Sequence, residues 1–370
     1  MRARSLAATV ASVLPVVLAT ACGPGDPAER VRAALADGQR QEAYDLARDN
    51  AREHEGDAEA WRLVARTALL TLRTDAALAA AKRATELEPE NAEGHWLHAL
   101  GDQRRRRNVA AVESAREARR MAPEEARYAV TLGELLLGGG MVGTADYAGA
   151  EAELRDALRL DAGNERARAG LGKTLVLAGK HEEGARELDA ALAANPHRGE
   201  SHYHRGLARL RTRDFEGAEA DFRSATILPP QPAHAFFNLA RALQVLGRET
   251  EAEETRLRYQ VLRPLQMDLE TIETNFHSHP DNLRVNYDLA ALMVSARRYD
   301  EAKTMLESLC RDEPDLLRAH QLLAEAALAD EDATRAEWAA ERLLELSDSP
   351  PARRLAAQAA RLAGDPDAAL

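Results

Sequence analysis

The sequence predicts an all-α protein built as a stack of antiparallel helix pairs, and three observations carry that prediction. The first is a period: Pro89, Pro123, Pro196, Pro230 and Pro264 stand 34 residues apart or at multiples of 34, give or take one five-residue insertion, and Pro280 and Pro314 repeat the interval. Self-similarity at that length marks an array of helical hairpins. The second is a pair of small-residue positions within frames that end two residues after each proline. The eighth position reads Ala65, Ala99, Gly133, Gly172, Gly206, Ala240, Ala290, Ala324, and the twentieth reads Ala43, Ala77, Ala111, Ala150, Gly184, Ala218, Ala252, Ala302, Ala336. Small side chains belong where two helix backbones approach closely. The third is punctuation. Gly38, Gly179 and Gly247 at the fifteenth position signal the turn inside each pair, Tyr147, Phe215 and Tyr299 follow it at the seventeenth, and proline marks where each second helix has to stop.

Each frame then divides into two amphipathic helices. In residues 199–232, Leu207, Leu210, Ala218, Phe222 and Ala225 keep helical spacing on either side of Arg213 and Asp214. One such hairpin cannot bury its apolar face alone, so copies must stack. The first frame, about 28–57, has a short first helix around Val31 to Leu35 and caps the array. Two uninterrupted repeats follow to Pro123, and a fourth carries the insertion 138–144, whose glycines lengthen its turn. After Pro264 the frame breaks: Leu265, Leu269, Ile272 and Phe276 supply one extra helix over 265–280, read as a joint between seven repeats (28–264) and a C-terminal pair (281–348). A long helix kinked at Pro264 fits the same residues. In the segment 349–370 a last helix from about Ala352 to Ala363, with Arg353, Arg354, Gln358 and Arg361 facing water, closes the stack before Gly364.

These residues resemble the tetratricopeptide repeat family. The best copies are Ala58 to Pro89, Glu165 to Pro196 and Gly199 to Pro230, and the resemblance covers nearly everything from about residue 28 to 363. It implies a right-handed superhelical solenoid of about nine repeats plus a C-terminal capping helix. Departures are informative: Tyr259, Leu309 and Leu343 replace the usual Ala at the twenty-seventh position, and His98 and Arg205 replace Leu at the seventh. Those interfaces are expected to be looser or differently packed.

The resemblance also implies a ligand surface, the concave groove lined by the first helix of each repeat. Carried over, it consists of Arg62, Arg66, Trp96, Arg127, Glu134, Arg166, Lys173, Tyr203, His204, Phe237, Asn238, Arg241, Arg284 and Tyr287. Trp96, Tyr203, Phe237, Asn238, Arg241 and Tyr287 are the candidate binding residues, because large aromatics are common interface anchors. Packing between neighbouring hairpins explains the same aromatics equally well. The two-lysine, two-asparagine carboxylate clamp of some family members is not reproduced.

The first 21 residues read as a signal peptide and not as part of the fold: Arg2 and Arg4 precede a short apolar stretch from Leu6 to Leu18. It is too short, with Pro15 too central, for a membrane-spanning helix. The Cys22-Gly23 junction resembles a bacterial lipoprotein processing site, which implies lipid attachment at Cys22, although Ala19 stands where that family usually has a branched apolar residue. Ordinary cleavage after Ala19-Thr20-Ala21 is the alternative. Residues 22–27 form a flexible spacer that would hold the fold off a membrane. After processing, Cys310 is the one thiol left in the repeats, so no internal disulfide is expected.

The formal net charge of −12 disfavours a nucleic-acid partner. No stretch is left over for a catalytic domain. Residues 167–174 satisfy a permissive phosphate-loop pattern, yet they fall inside a predicted first helix, where backbone N–H groups cannot cradle a phosphate. His202 and His204 point apart on one helix, and His95 and His98 lack a partner set with zinc spacing. Arg104 to Arg107 occupies an inter-helix turn, a solvated turn by default or a contact for an anionic partner or headgroup. Cys310 is expected to pack as a small apolar side chain. No cofactor, metal or catalytic residue is expected. The function expected is a non-catalytic adaptor, exported and lipid-anchored at a bacterial envelope, that binds a protein or peptide in the groove. A glycan-associated scaffold with stacked aromatics and a nucleotide-dependent regulator at residues 167–174 are the competing classes.

Overall fold

The computed structural model describes residues 27–138, 145–228, 233–278 and 282–364. Among the described residues there are nineteen α-helices and no strand. They fall into two compact units that divide between Arg263 and Pro264. The signal peptide, Cys22 and residues 139–144 of the insertion lie outside the described residues.

In the first unit the helices alternate as first and second members of pairs: α1 Pro27–Ala36, α2 Arg40–Glu53, α3 Ala58–Leu70, α4 Thr74–Leu87, α5 Ala92–Arg104, α6 Asn108–Met121, α7 Ala126–Gly138, α8 Tyr147–Leu160, α9 Glu165–Leu177, α10 His181–Ala194, α11 Gly199–Arg211, α12 Phe215–Ile227 and α13 Ala233–Val245. First helices start where Asp or Asn supplies a side-chain acceptor: Asp57 for the Glu59 N–H, Asn91 for Glu93 and Asn164 for Ala167. Second helices end two residues before Pro89, Pro123 and Pro196.

In the first unit, the turns of every pair except the fourth, whose turn lies outside the described residues, place the fifteenth residue in the left-handed region, which costs a β-carbon-bearing residue about 1 kcal/mol and a glycine nothing. Gly38, Gly179 and Gly247 fill that role as the sequence suggests. Leu72, Arg106 and Arg213 adopt the same conformation without being glycine, at φ 61°, 54° and 67°.

The predicted contact positions are buried. Ala65, Ala99, Ala77, Ala111, Ala150 and Ala218 have no exposed surface. Repeat five has glycine at both positions. A β-carbon on Gly184 would stand 2.9 Å from the Gly172 carbonyl oxygen and 2.9 Å from the Val176 nitrogen, so α9 and α10 meet backbone to backbone.

The thirty-residue α14, Glu249–Ser278, runs unbroken through Pro264. The extra helix expected over 265–280 is therefore the second half of one long helix, the alternative the sequence left open. Beyond Pro264 the second unit contains α15 Leu283–Ser295, α16 Tyr299–Asp312, α17 Leu317–Ala329, α18 Ala333–Leu346 and α19 Pro350–Ala363. Leu309 and Leu343 fill its core where alanine is usual. The capping helix begins at Pro350 and buries Ala352, Leu355, Ala359 and Ala360, leaving Arg353, Arg354, Gln358 and Arg361 in water. Gly364 ends it in the left-handed conformation.

Candidate functional site

The first helices of repeats two to six carry charges that reach to their neighbours. Arg62 on α3 is buried and bonds Glu59 and Glu88, at 2.8 and 2.6 Å. Arg66 is bidentate to Glu93 of α5, at 2.9 and 2.5 Å. Arg166 on α9 grips Glu134 of α7 with two N–H groups, and Lys173 donates to Glu200 of α11 at 2.6 Å. The partners of Arg62 lie on α3 itself and at the end of α4, whereas Arg66, Arg166 and Lys173 each reach an acid on an adjacent first helix, so these charges cross-link repeats and neutralise one another. Burial opposes the charged form of Arg66, yet the Glu93 carboxylate beside it raises its pKa. Arg62, Arg66, Arg166 and Lys173 are committed to internal partners, not free to meet a ligand.

The aromatics at the fifth position divide. Trp96 is 0% exposed, so its place in a solvent-lined groove is corrected. Its indole N–H donates to the Thr131 hydroxyl on the next first helix at 2.9 Å, its ring lies 5.9 Å from that of Tyr128, and the Arg127 guanidinium sits over it at 5.3 Å. Packing between hairpins is its role.

Tyr203 is half-buried in the same arrangement. It lies 4.4 Å from the His234 ring and 5.9 Å from the Phe222 ring, and its hydroxyl accepts from the Asn238 side-chain amide at 3.2 Å. Asn238 is buried by that bond and by a second to the His234 carbonyl. His204 sits beside Tyr203, buried, and burial together with the Lys173 charge pushes its pKa down to about 4. Tyr287 in the second unit is half-buried, and Arg284 is exposed.

Phe237 differs: it is 49% exposed. A fifth-position aromatic is covered by the first helix of the following repeat, and repeat seven is followed along the chain by the continuation of α14. Tyr259, the large residue at the twenty-seventh position, supports the ring from behind at 5.4 Å. Arg241, one turn along α13, is exposed and makes no ion pair or hydrogen bond. Of the residues singled out in the first unit, Phe237 and Arg241 stand together and open to solvent, the ring backed on one side by Tyr259 and the guanidinium unpaired.

The departures at the seventh position produce polar cores, a result that sequence reasoning described only as different packing. Arg205 bonds Asp221 through Nε and Nη2 at 2.9 and 2.6 Å and Asp189 at 2.7 Å. His202 and Arg209 complete the shell around the buried Asp221 carboxylate at 3.1 and 3.0 Å. Burial works against ionisation, but the bonds from His202 and Arg205 hold this carboxyl below its ordinary range. His98 and Arg107 surround buried Asp102 at 3.1 and 2.9 Å. The missed signal was the acid: Asp102 and Asp221 sit at apolar-face positions of their helices.

The remaining candidates resolve simply. Residues 167–174 lie within α9, with no strand before them among the described residues. No cluster of three metal-ligating side chains occurs among the described residues. Arg105 pairs with Asp75, and Arg107 with Asp102, so the basic turn is tied to neighbouring helices. Cys310 is buried, and burial raises its pKa to about 12, which leaves it a packed thiol.

Comparison with known proteins agrees with the repeat geometry. The tetratricopeptide repeat family matches residues 170–232 and 203–265, and a second description of the same repeat matches 275–326. No curated protein matches the sequence. Among solved structures, PilW, a widely conserved type IV pilus biogenesis factor, is 19% identical over 56% of this chain and 94% of its own, with a TM-score of 0.50. PilF of Pseudomonas aeruginosa is 19% identical over 57% of this chain and 93% of its own, at 0.49, and YrrB, described as having an unusual peptide-binding site, is 20% identical over 52% and 96%, at 0.42. At such identities the likeness is one of fold. The 34-residue period, the paired helices with small residues at their contacts and the family matches over 170–265 and 275–326 show that this chain carries tetratricopeptide repeats.

Proposed function

We propose that the chain is a scaffold that binds a protein or peptide, exported and held at a bacterial cell envelope by lipid on Cys22, with no catalysis of its own. The observation that carries the binding reading is the pair Phe237 and Arg241 on α13. An exposed ring and an unpaired guanidinium one turn apart, on a first helix of a repeat array, offer an apolar anchor and a charge-assisted donor to the same partner segment. The charged first-helix face of repeats two to six is internally neutralised, which directs recognition toward repeat seven. Asn238 and Tyr203, hydrogen-bonded to each other, hold α13 in place and do not reach for the ligand.

The envelope address rests on the leader: a basic start, a short apolar stretch, Cys22 and a spacer from Gly23 to Asp26, since Pro27 already opens α1. Intact-mass measurement of the chain from the membrane fraction tests it. Acyl chains on an N-terminal Cys22 are expected, and an unmodified N-terminus in the soluble fraction rejects the anchor. Binding is tested by crosslinking in the native membrane with the variant Phe237→Ala, Arg241→Ala. Recovery of the crosslinked partner should fall about tenfold or more, from hot-spot losses of roughly 2 kcal/mol, while helicity by circular dichroism is unchanged. Undiminished recovery removes the site from α13.

A further inference from the structure

The outward stripe of the second helices changes character at the end of the first unit. Its twenty-fifth and twenty-ninth positions are charged in repeats two to four, at Lys82 and Glu86, Arg116 and Arg120, and Arg155 and Arg159, all exposed. Repeat six keeps a charge at the first of these, Arg223, but places Ile227 at the second, and repeat seven places Leu257 and Val261 there; the three apolar side chains are 67%, 53% and 75% exposed. These three open onto a groove of about 580 Å³ between α12, α13 and α14, floored by Phe236 and Leu262. Exposed apolar side chains gathered in this way mark contact surfaces.

The rim of this patch identifies its occupant. Glu254 and Arg258 sit four residues apart on one face of α14, Glu254 about a turn before Leu257 and Arg258 directly after it, and both are exposed. Neither makes an ion pair or a side-chain hydrogen bond within the chain, although most neighbouring charges on α14 do: Arg256 pairs with Glu253, and Glu251 with Arg248 and Arg223. We propose that this face binds a second copy of the chain about a two-fold axis. Two 249–263 stretches running antiparallel, with the axis midway between Glu254 and Arg258, set Glu254 of each copy against Arg258 of the other. Leu257 then meets its own equivalent beside the axis, flanked by the two ion pairs. A two-fold contact must be complementary to itself, and opposite charges symmetrically placed around an apolar residue satisfy that requirement. Three exposed apolar side chains do not by themselves supply the roughly 800 Å² per partner of a standard interface, so the dimer should be weak and concentration-dependent. This inference stands apart from the binding role proposed for Phe237 and Arg241, neither of which takes part.

The test is sedimentation velocity of the full-length chain across a concentration series, with Arg258→Glu, Glu254→Arg and the double swap. The native chain should pass from monomer to dimer. Each single reversal places like charges across the axis twice and should weaken the dimer about tenfold or more. The swap Glu254→Arg, Arg258→Glu restores both pairs and should recover the native midpoint within about threefold. Circular dichroism on each variant checks that these exposed changes leave the helices intact. A native chain that stays monomeric throughout overturns the proposal and assigns the groove to a segment of another protein. A dimer insensitive to the single reversals, or a swap that fails to rescue, places self-association on another surface and equally overturns it.

Discussion

Replacing Gly184 by Ala should destabilise the array, against the intrinsic preference of a helix. At an exposed helical position a glycine-to-alanine change gains about 0.8 to 1 kcal/mol, because the unfolded chain has less freedom to lose. Gly184 is not such a position. Its new β-carbon would lie 2.9 Å from the Gly172 oxygen, 2.9 Å from the Val176 nitrogen and 2.7 Å from the Val176 Cγ2. Two of these three are backbone atoms of the facing helix and cannot rotate away, so α9 and α10 must separate. Overpacking of that kind costs roughly 1 to 3 kcal/mol. After subtracting the helix gain, the net loss is about 1 kcal/mol, and up to about 2 where the shift passes to the neighbouring hairpins. Gly138, at the end of α7, has nothing within 4 Å of its would-be β-carbon and provides the control. Urea denaturation followed by circular dichroism should move the midpoint down for Gly184→Ala with the slope unchanged, and leave it level or raised for Gly138→Ala. Stabilisation by Gly184→Ala would show that the two helices do not touch at the twentieth position, and the register of every repeat would fall with it.

Three further outcomes follow from single residues. Asp221→Ala leaves Arg205, Arg209 and His202 facing an empty buried site and should cost about 3 to 5 kcal/mol by urea denaturation, with a loss below 1 kcal/mol refuting the buried-charge reading. Arg213→Gly should gain up to about 1 kcal/mol by relieving the left-handed backbone at φ 67°, while Gly179→Ala at φ 85° should lose about as much; opposite signs in paired thermal melts would mean that the turn tolerates a β-carbon. His204 has its pKa pushed down to about 4, so the unfolded chain takes up its proton first: the stability it supports is complete above about pH 6.5 and drains away as pH falls toward 4. His204→Gln should flatten that limb of a pH series of denaturation midpoints, and an unaltered limb would assign the acid sensitivity elsewhere.

The period, the small contact positions and the glycine turns were legible in the sequence because each answers a backbone demand that few residues meet. Ala77 and Ala218 are buried for the reason they are small, and Gly179 has the dihedral its type suggests. Leu72, Arg106 and Arg213 were not legible as turns because their strain is offset by the packing of both flanking helices, which no local pattern displays. The continuity of α14 was undecidable from sequence. Proline removes one N–H from a helix and also ends many helices, and the choice belongs to the contacts around it.

The candidate site was legible in residue type and not in exposure. An aromatic at the fifth position is the same letter whether the next repeat covers it, as with Trp96, or not, as with Phe237. What decides is the following element, and only at repeat seven does the chain continue as α14 instead of opening a new first helix. The charges behaved likewise. Arg66 and Glu93, and Lys173 and Glu200, lie 27 residues apart, a separation that joins successive first helices, so repetition of the fold turns these two basic groove residues toward an acidic one in the next frame. Arg241 escapes because the position one frame on falls in α14. The exposed Phe237 ring and the unpaired Arg241 guanidinium thus stand together at the repeat where the array stops matching its own successor, and the proposed binding surface rests on that pair.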